Sequence, residues 1–167
     1  MIELPKGIVK ASVVNPKNFV MYAPPKLGKT TLLSQLDNCL IIDLEDGSDY
    51  VDALKIKVNG LGQLGEVSRS IISAGRPYKY VAIDTISKLE EFAEVEATNQ
   101  YRQSPIGKNF TGKSVLELPQ GAGYLHLRLM FKKWIDALSL LADHIIFVGH
   151  LKDKLVDLGG KEVSSKD

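Results

Sequence analysis

Short, unbroken apolar runs alternate along this chain with longer segments in which apolar residues recur every three or four positions. The runs Phe19-Val20-Met21-Tyr22, Cys39-Leu40-Ile41-Ile42-Asp43, Lys79-Tyr80-Val81-Ala82-Ile83-Asp84 and His144-Ile145-Ile146-Phe147-Val148-Gly149 read as strands. The second is apolar enough to be covered on both faces and so to be central. Helical spacing predicts helices over Lys29 to Leu36, over Gly62 to Ala74 with Gly75 as its stop, and from Ile86 through Leu89, Phe92, Ala93 and Glu96. A further amphipathic helix covers Ala122 to Ala142, where Tyr124, Leu127, Phe131, Trp134, Ile135, Leu138 and Leu141 form a core stripe. Strands separated by helices imply an α/β fold, with a mainly parallel central sheet flanked by helices. Between these elements, Arg102 to Gln120 holds two Pro, two Gly and several polar residues, which predicts a long flexible loop over about 102–121. The segment from about 151 to 167 reads as a mobile polar tail whose four Lys balance four acidic residues.

At 167 residues, 44% hydrophobic and 25% charged, the composition is that of one ordinary globular domain spanning the chain. A formal net charge of +1 supplies no global field to recruit nucleic acid or a membrane, so any such surface must come from local clustering. Cys39 is the only cysteine and has no internal disulfide partner, which suits a reducing compartment and a buried apolar role. No signal-peptide pattern and no run of membrane-spanning length is visible, so the expected location is the cytoplasm, that of a bacterial host if the gene is a phage's.

The candidate chemistry begins where the first strand ends. Ala23-Pro24-Pro25-Lys26-Leu27-Gly28-Lys29-Thr30 has the Walker A spacing, with Ala at a first position where Gly is commoner. A triphosphate needs several converging backbone N–H groups and the positive end of a helix dipole, and a loop between strand and helix offers both. Gly28 lets the backbone approach closely. Lys29 would neutralise the β- and γ-phosphates, the Thr30 hydroxyl would ligate Mg2+, and Thr31 would contact the α-phosphate, while Lys26 is expected to face solvent. The ligand expected is ATP with Mg2+.

In an open α/β sheet the ligand sits beyond the carboxyl ends of the strands, so polar residues there are the next candidates. Asp84 ends its strand in the Walker B manner and would hold Mg2+, or else cap the helix that follows. Glu45 follows a strand expected to lie beside the phosphate loop; it would orient the attacking water, or else belong to a solvated turn, Glu45-Asp46-Gly47-Ser48. His150 closes the fourth predicted strand and would reach the γ-phosphate or the water, or else be structural. His126 and His144 have no such placement and are assigned structural roles.

Taken in order, the Walker A segment, Ile42-Asp43-Leu44-Glu45, Val81-Ala82-Ile83-Asp84-Thr85 and Ile146-Phe147-Val148-Gly149-His150 resemble the RecA-like recombinase core over about residues 17–152. More closely, the chain is similar to the short RecA-like ATPases of phages and prophages that accompany single-strand annealing and recombination. The resemblance implies that Glu45 is the water-activating glutamate and that His150 stands where bacterial RecA has a glutamine that senses the γ-phosphate. It also implies an adenine contact at Asp49, whereas Tyr50 is not at the spacing of RecA's stacking tyrosine. A homo-oligomer is implied too, with single-stranded DNA gripped by segments mapping near Arg102 to Gly123 and Leu151 to Asp167. In the first of these, Arg102, Lys108 and Lys113 outnumber Glu117, and Phe110 is available to stack on a base. RecA-like cores continue with further strands that reach a neighbour's nucleotide, so the C-terminal part is expected to be truncated or reduced, and the resemblance assigns no residue acting in trans.

Two functions follow as expectations. One is an ATP-dependent DNA recombination or annealing factor in which nucleotide state controls single-stranded DNA binding. The other is a nucleotide-dependent switch or assembly ATPase acting on a replication or recombination protein such as a replicative helicase. A small-molecule kinase is a third, blander reading, against which stands the lack of an arginine-rich lid.

Overall fold

A computed structural model describes Gly7, residues 17–151 and the backbone of two strands at 153–157 and 162–166. Strands β1 (Asn18–Ala23), β2 (Cys39–Asp43), β3 (Leu54–Lys57), β4 (Tyr80–Asp84) and β5 (His144–His150) form one sheet in the order β1-β5-β4-β2-β3. Every pairing in it is parallel. Helices α1 (Lys29–Ser34), α2 (Leu61–Ser73), α3 (Ile86–Gln103) and α4 (Ala122–Leu138) make the connections, apart from the loop that joins β2 to β3.

The period-two geometry of a strand divides the apolar runs between two cores. Leu40, Ile42, Val81, Ile83, Ile145 and Phe147 face α2, α3 and α4, where Leu64, Ile71, Leu89 and Leu138 meet them. Cys39, Ile41, Ala82, Ile146 and Val148 face the other way, toward Leu33 of α1. Burial pushes the Cys39 thiol up to about 11, so the residue behaves as a small apolar group. No described helix is long and apolar enough to cross a membrane.

The structure corrects the expectations in three places. Strand β3 was not predicted; its Leu54 and Ile56 are both exposed and its lysines alternate with them, so it lacks the apolar continuity of its neighbours. The order of the sheet separates β2 from β1 by two strands, so Glu45 does not follow a strand adjacent to the phosphate loop. The segment predicted as a flexible loop begins inside α3 and contains two 3₁₀ turns, Val115–Glu117 and Pro119–Gly121. Val115 is fully buried in a third cluster with Ala93, Ala97, Leu127 and Met130, and the Ser114 and Glu117 side chains close a capping box around the first turn. Within the segment expected as a mobile tail lie two strands, β6 (Asp153–Asp157) and β7 (Glu162–Lys166), paired antiparallel, a pairing that does not bear on mobility.

The buried anchor of the 104–121 segment is testable. Val115→Ala should destabilise the domain by about 1–3 kcal/mol through the cavity it leaves. Chemical denaturation compared with the native chain measures this, and a midpoint that does not move would mean that the segment is not packed.

Candidate functional site

Because all five strands of the main sheet run the same way, the residues that close β2, β4 and β5 lie along one edge, together with the loop that follows β1. Register pairs Asp43 with Asp84 across β2 and β4, and Ala23 with His150 across β1 and β5. A cleft of ≈ 440 Å³ opens there, lined by the phosphate loop at Pro25, Lys26 and Gly28 to Thr31, by Asp43, Glu45 and Asp84, and by His150. That volume suits a nucleotide-sized ligand.

The loop from Ala23 to Gly28 takes left-handed backbone at Lys26 (φ 62°) and at Gly28 (φ 80°), the residue that opens α1. Turns of this kind gather successive N–H groups into anion-binding concavities. Lys29, only 8% exposed, points its ammonium into the cleft. Its Nζ donates to the carbonyls of Ala23 (3.0 Å) and Pro24 (2.9 Å) and lies 3.0 Å from His150 Nδ1. An ammonium can only donate, so Nδ1 accepts and the imidazole hydrogen sits on Nε2. That hydrogen is directed at Glu45 Oε2, 3.0 Å away. Glu45 Oε1 in turn accepts a 2.5 Å hydrogen bond from the Thr85 hydroxyl. A continuous chain therefore runs Lys29, His150, Glu45, Thr85.

Thr30 and Asp84 form a second pair, with Oγ1 donating to Oδ2 at 2.9 Å. Burial raises the Asp84 carboxyl above its ordinary value against the lowering effect of the Thr30 bond, and the negative charges of Asp43 and Glu45 push the same way as burial. Among the described residues no cluster of three or more His, Cys, Asp or Glu could hold a metal by itself. A hydroxyl and one carboxylate beside a phosphate site nevertheless fit Mg2+, which keeps waters and phosphate oxygens as most of its ligands. A divalent cation would relieve the repulsion that Asp84 now feels.

Asp43 was not singled out by the sequence. Its carboxylate accepts from the N–H groups of Glu45 (3.0 Å), Gly47 (3.3 Å) and Ser48 (2.9 Å) and from the Ser48 hydroxyl (2.5 Å). Burial alone would raise its pKa, but the hydrogen bonds from Ser48, Glu45 and Gly47 outweigh it and hold the carboxyl below the ordinary value. The turn that carries Glu45 is thus wrapped around a buried carboxylate. Its signal was present as an Asp followed by Gly and Ser within five residues, a pattern in which side chains bond nearby backbone.

Asp49, expected at the adenine, does not line the cleft; its carboxylate pairs with Lys57 at 2.8 Å, while Tyr50 and Val51 stand at the cleft wall. His144 stacks on Tyr80 at the start of β5, and His126 packs against Tyr101 between α3 and α4, both apart from the cleft. Of the residues proposed for DNA, Arg102 donates to the Gly112 carbonyl and Phe110 packs edge-on against Tyr101, whereas Lys108 and Lys113 are exposed. The expected DNA segment over 151–167 lies outside the described side chains beyond Leu151.

A family model described as AAA domain matches residues 15–167. The chain belongs to the AAA domain family. This AAA domain is accordingly a nucleotide-binding P-loop ATPase unit. No curated protein matches the chain.

The two buried carboxylates of the AAA domain should shift stability with pH in opposite senses. Asp43 has a depressed folded pKa, so its contribution is present above the unfolded value of 3.8 and is lost as pH falls through the folded value. Asp84 has a raised folded pKa, so ionising it in the fold costs stability as pH rises from 3.8 through the folded value. Without nucleotide or Mg2+ at pH 7, Asp84→Asn should therefore raise the melting temperature and Asp43→Asn should lower it. Both differences should shrink toward pH 3, as thermal melts across pH will show.

Proposed function

We propose that the AAA domain binds ATP with Mg2+ in the strand-end cleft and hydrolyses it in a RecA-like arrangement, using nucleotide state to control its grip on single-stranded DNA. The observation that carries this reading is the position of Glu45. It follows β2, the strand next to the Walker B strand β4, and its carboxylate is held by Thr85 and His150 in the same cleft as Lys29 and Thr30.

In this reading the phosphate-loop N–H groups and Lys29 bind the phosphates, Thr31 contacts the α-phosphate, and Thr30 with Asp84 would hold Mg2+. Bound Mg2+ would neutralise charge developing on the phosphate oxygens. Glu45 orients the attacking water and takes its proton. Phosphate oxygens compete with His150 Nδ1 for the protons of Lys29, which shifts the imidazole and its bond to Glu45. His150 therefore reports whether the phosphate is present.

Both segments nominated for DNA attach to this chain of bonds. Thr85 caps α3, an 18-residue helix whose far end leads into the segment carrying Lys108 and Lys113, and His150 leads into the β6–β7 pair. A helix of that length is a stiff lever of roughly 27 Å. A protein partner, such as a replicative helicase, is the second reading. The exposed Ile106, Tyr124, Leu125 and Leu129 at and beside the same segment favour it, since clustered exposed apolar residues suit a protein surface. The cleft supports the ATP reading for either partner, and a homo-oligomer is compatible with both.

ATP turnover with and without single-stranded DNA tests the proposal. The native chain should be stimulated by DNA. Lys29→Ala should lower kcat/KM by about 10²–10³-fold through loss of a positioned charge. Glu45→Gln should lower kcat by about 10²–10⁴-fold while still binding ATP. Turnover that survives Lys29→Ala would overturn the site; turnover indifferent to DNA would favour the protein-partner reading, and capture of a helicase only with ATP bound would establish it.

A further inference from the structure

Glu45 ends in a carboxylate whose last torsion is broad and nearly unrestrained by rotamer preference, so packing alone does not fix the plane of its oxygens. Only hydrogen bonds can. Oε2 meets His150, a residue that also answers to Lys29 and is 24% exposed, whereas Oε1 meets Thr85, which is completely buried. The Thr85 hydroxyl has its own orientation set locally. As the N-cap of α3 it accepts from the Lys88 N–H at 3.4 Å, which uses a lone pair and leaves its proton for Glu45 Oε1 at 2.5 Å. A β-branched side chain adds stiffness at the first torsion. The backbone brings the two residues together, because the pairing of Asp43 with Asp84 is continued by the Leu44 N–H donating to the Asp84 carbonyl at 2.6 Å.

We propose that Thr85 is a positioning residue for hydrolysis: its buried hydroxyl fixes the Glu45 carboxylate against β4 so that the attacking water is held in line with the phosphate. This rests on the proposed role of Glu45. The geometry separates two tasks that meet at one edge. Asp43 fixes the backbone of the Glu45 turn, and Thr85, which does not line the cleft, fixes its carboxylate. Because the hydroxyl acts on Glu45 and not on ATP, its removal should affect turnover rather than binding. It should also matter only while Glu45 is present.

The test is steady-state ATP turnover with Mg2+ for Thr85→Val, Thr85→Ala, Thr85→Ser, Glu45→Gln and the double variant Glu45→Gln with Thr85→Val, alongside ATP affinity from nucleotide titration. A misplaced general base of this kind costs about 10–100-fold in rate. Thr85→Val should lose kcat by that factor with the KM for ATP within about threefold, and Thr85→Ser should recover most of it by restoring the hydroxyl. The double variant should be no slower than Glu45→Gln. Lost capping will lower the melting temperature of both Val and Ala variants, so rates are taken well below it, and Thr85→Ala replaces Thr85→Val if the latter does not fold. Full activity in the hydroxyl-less variants with Glu45→Gln inactive would overturn the role of Thr85, as would a Ser variant as slow as the Val variant. Full activity of Glu45→Gln would instead overturn the role of Glu45, a result the Thr85 variants cannot mimic.

Discussion

The parallel register of β2, β4 and β5 is the constraint on which the rest of this domain depends. Pairing Asp43 with Asp84 sets the ends of β2 and β4 level, and pairing Asp84 with Val148 carries β5 two residues further to His150, so that each strand leaves the sheet at one edge with a polar residue in hand. A slip of one residue would turn every side chain to the opposite face and would exchange the two apolar cores. The register is therefore held by the same burial that fills those cores. Ile41 and Ile42, Val81, Ala82 and Ile83, and Ile145 and Ile146 are at most 1% exposed, and they fix the site without touching it.

Concentrating carboxylates at that edge has an electrostatic cost, and the domain distributes it unevenly. Asp43 receives four hydrogen bonds and is held ionised, so its charge is spent on ordering the turn that follows β2. Asp84 receives one from a side chain, lies deeper than its hydrogen bonding compensates, and carries a raised pKa. The difference matches the tasks proposed for the two residues. A carboxylate that organises backbone should be satisfied by the protein, whereas one reserved for a cation should be left wanting a positive charge. Lys29, already sharing its protons among two carbonyls and His150, does not answer that need.

Much of this was legible in the sequence, and the reason is that strand ends are local features. The Walker A spacing, the apolar runs and the polar residues closing them at Asp84 and His150 could all be read from neighbouring residues. The less legible parts depend on distant contacts. Strand β3 lies at the edge of the sheet, and its exposed Leu54 and Ile56 alternate with lysines over only four residues, without the continuous apolar run of its neighbours. The order of the sheet, which places β5 and β4 between β1 and β2, is a matter of packing that no run of residues encodes. The 102–121 segment read as a loop because Pro, Gly and polar residues dominate it, yet Val115 packs among Ala93, Ala97, Leu127 and Met130, its N–H donates to Thr98 and the Ser114 hydroxyl donates to Glu94, which pins the segment to α3 and α4. The Ser-x-x-Glu pattern of the Ser114 capping box was visible and could have been weighed against the loop reading.

Pinning changes what that segment can do for the proposed coupling. A free loop would have to be ordered by each ligand at an entropic cost, and nothing at the nucleotide would need to move it. A segment packed along α3 and against α4 moves with those helices. The near end of α3 is Thr85, whose hydroxyl is bonded to Glu45 and through it to His150 and Lys29. A shift in that chain of hydrogen bonds on phosphate binding thus has a rigid path to Lys108 and Lys113, and the packing that removed the loop's freedom is what would let it respond.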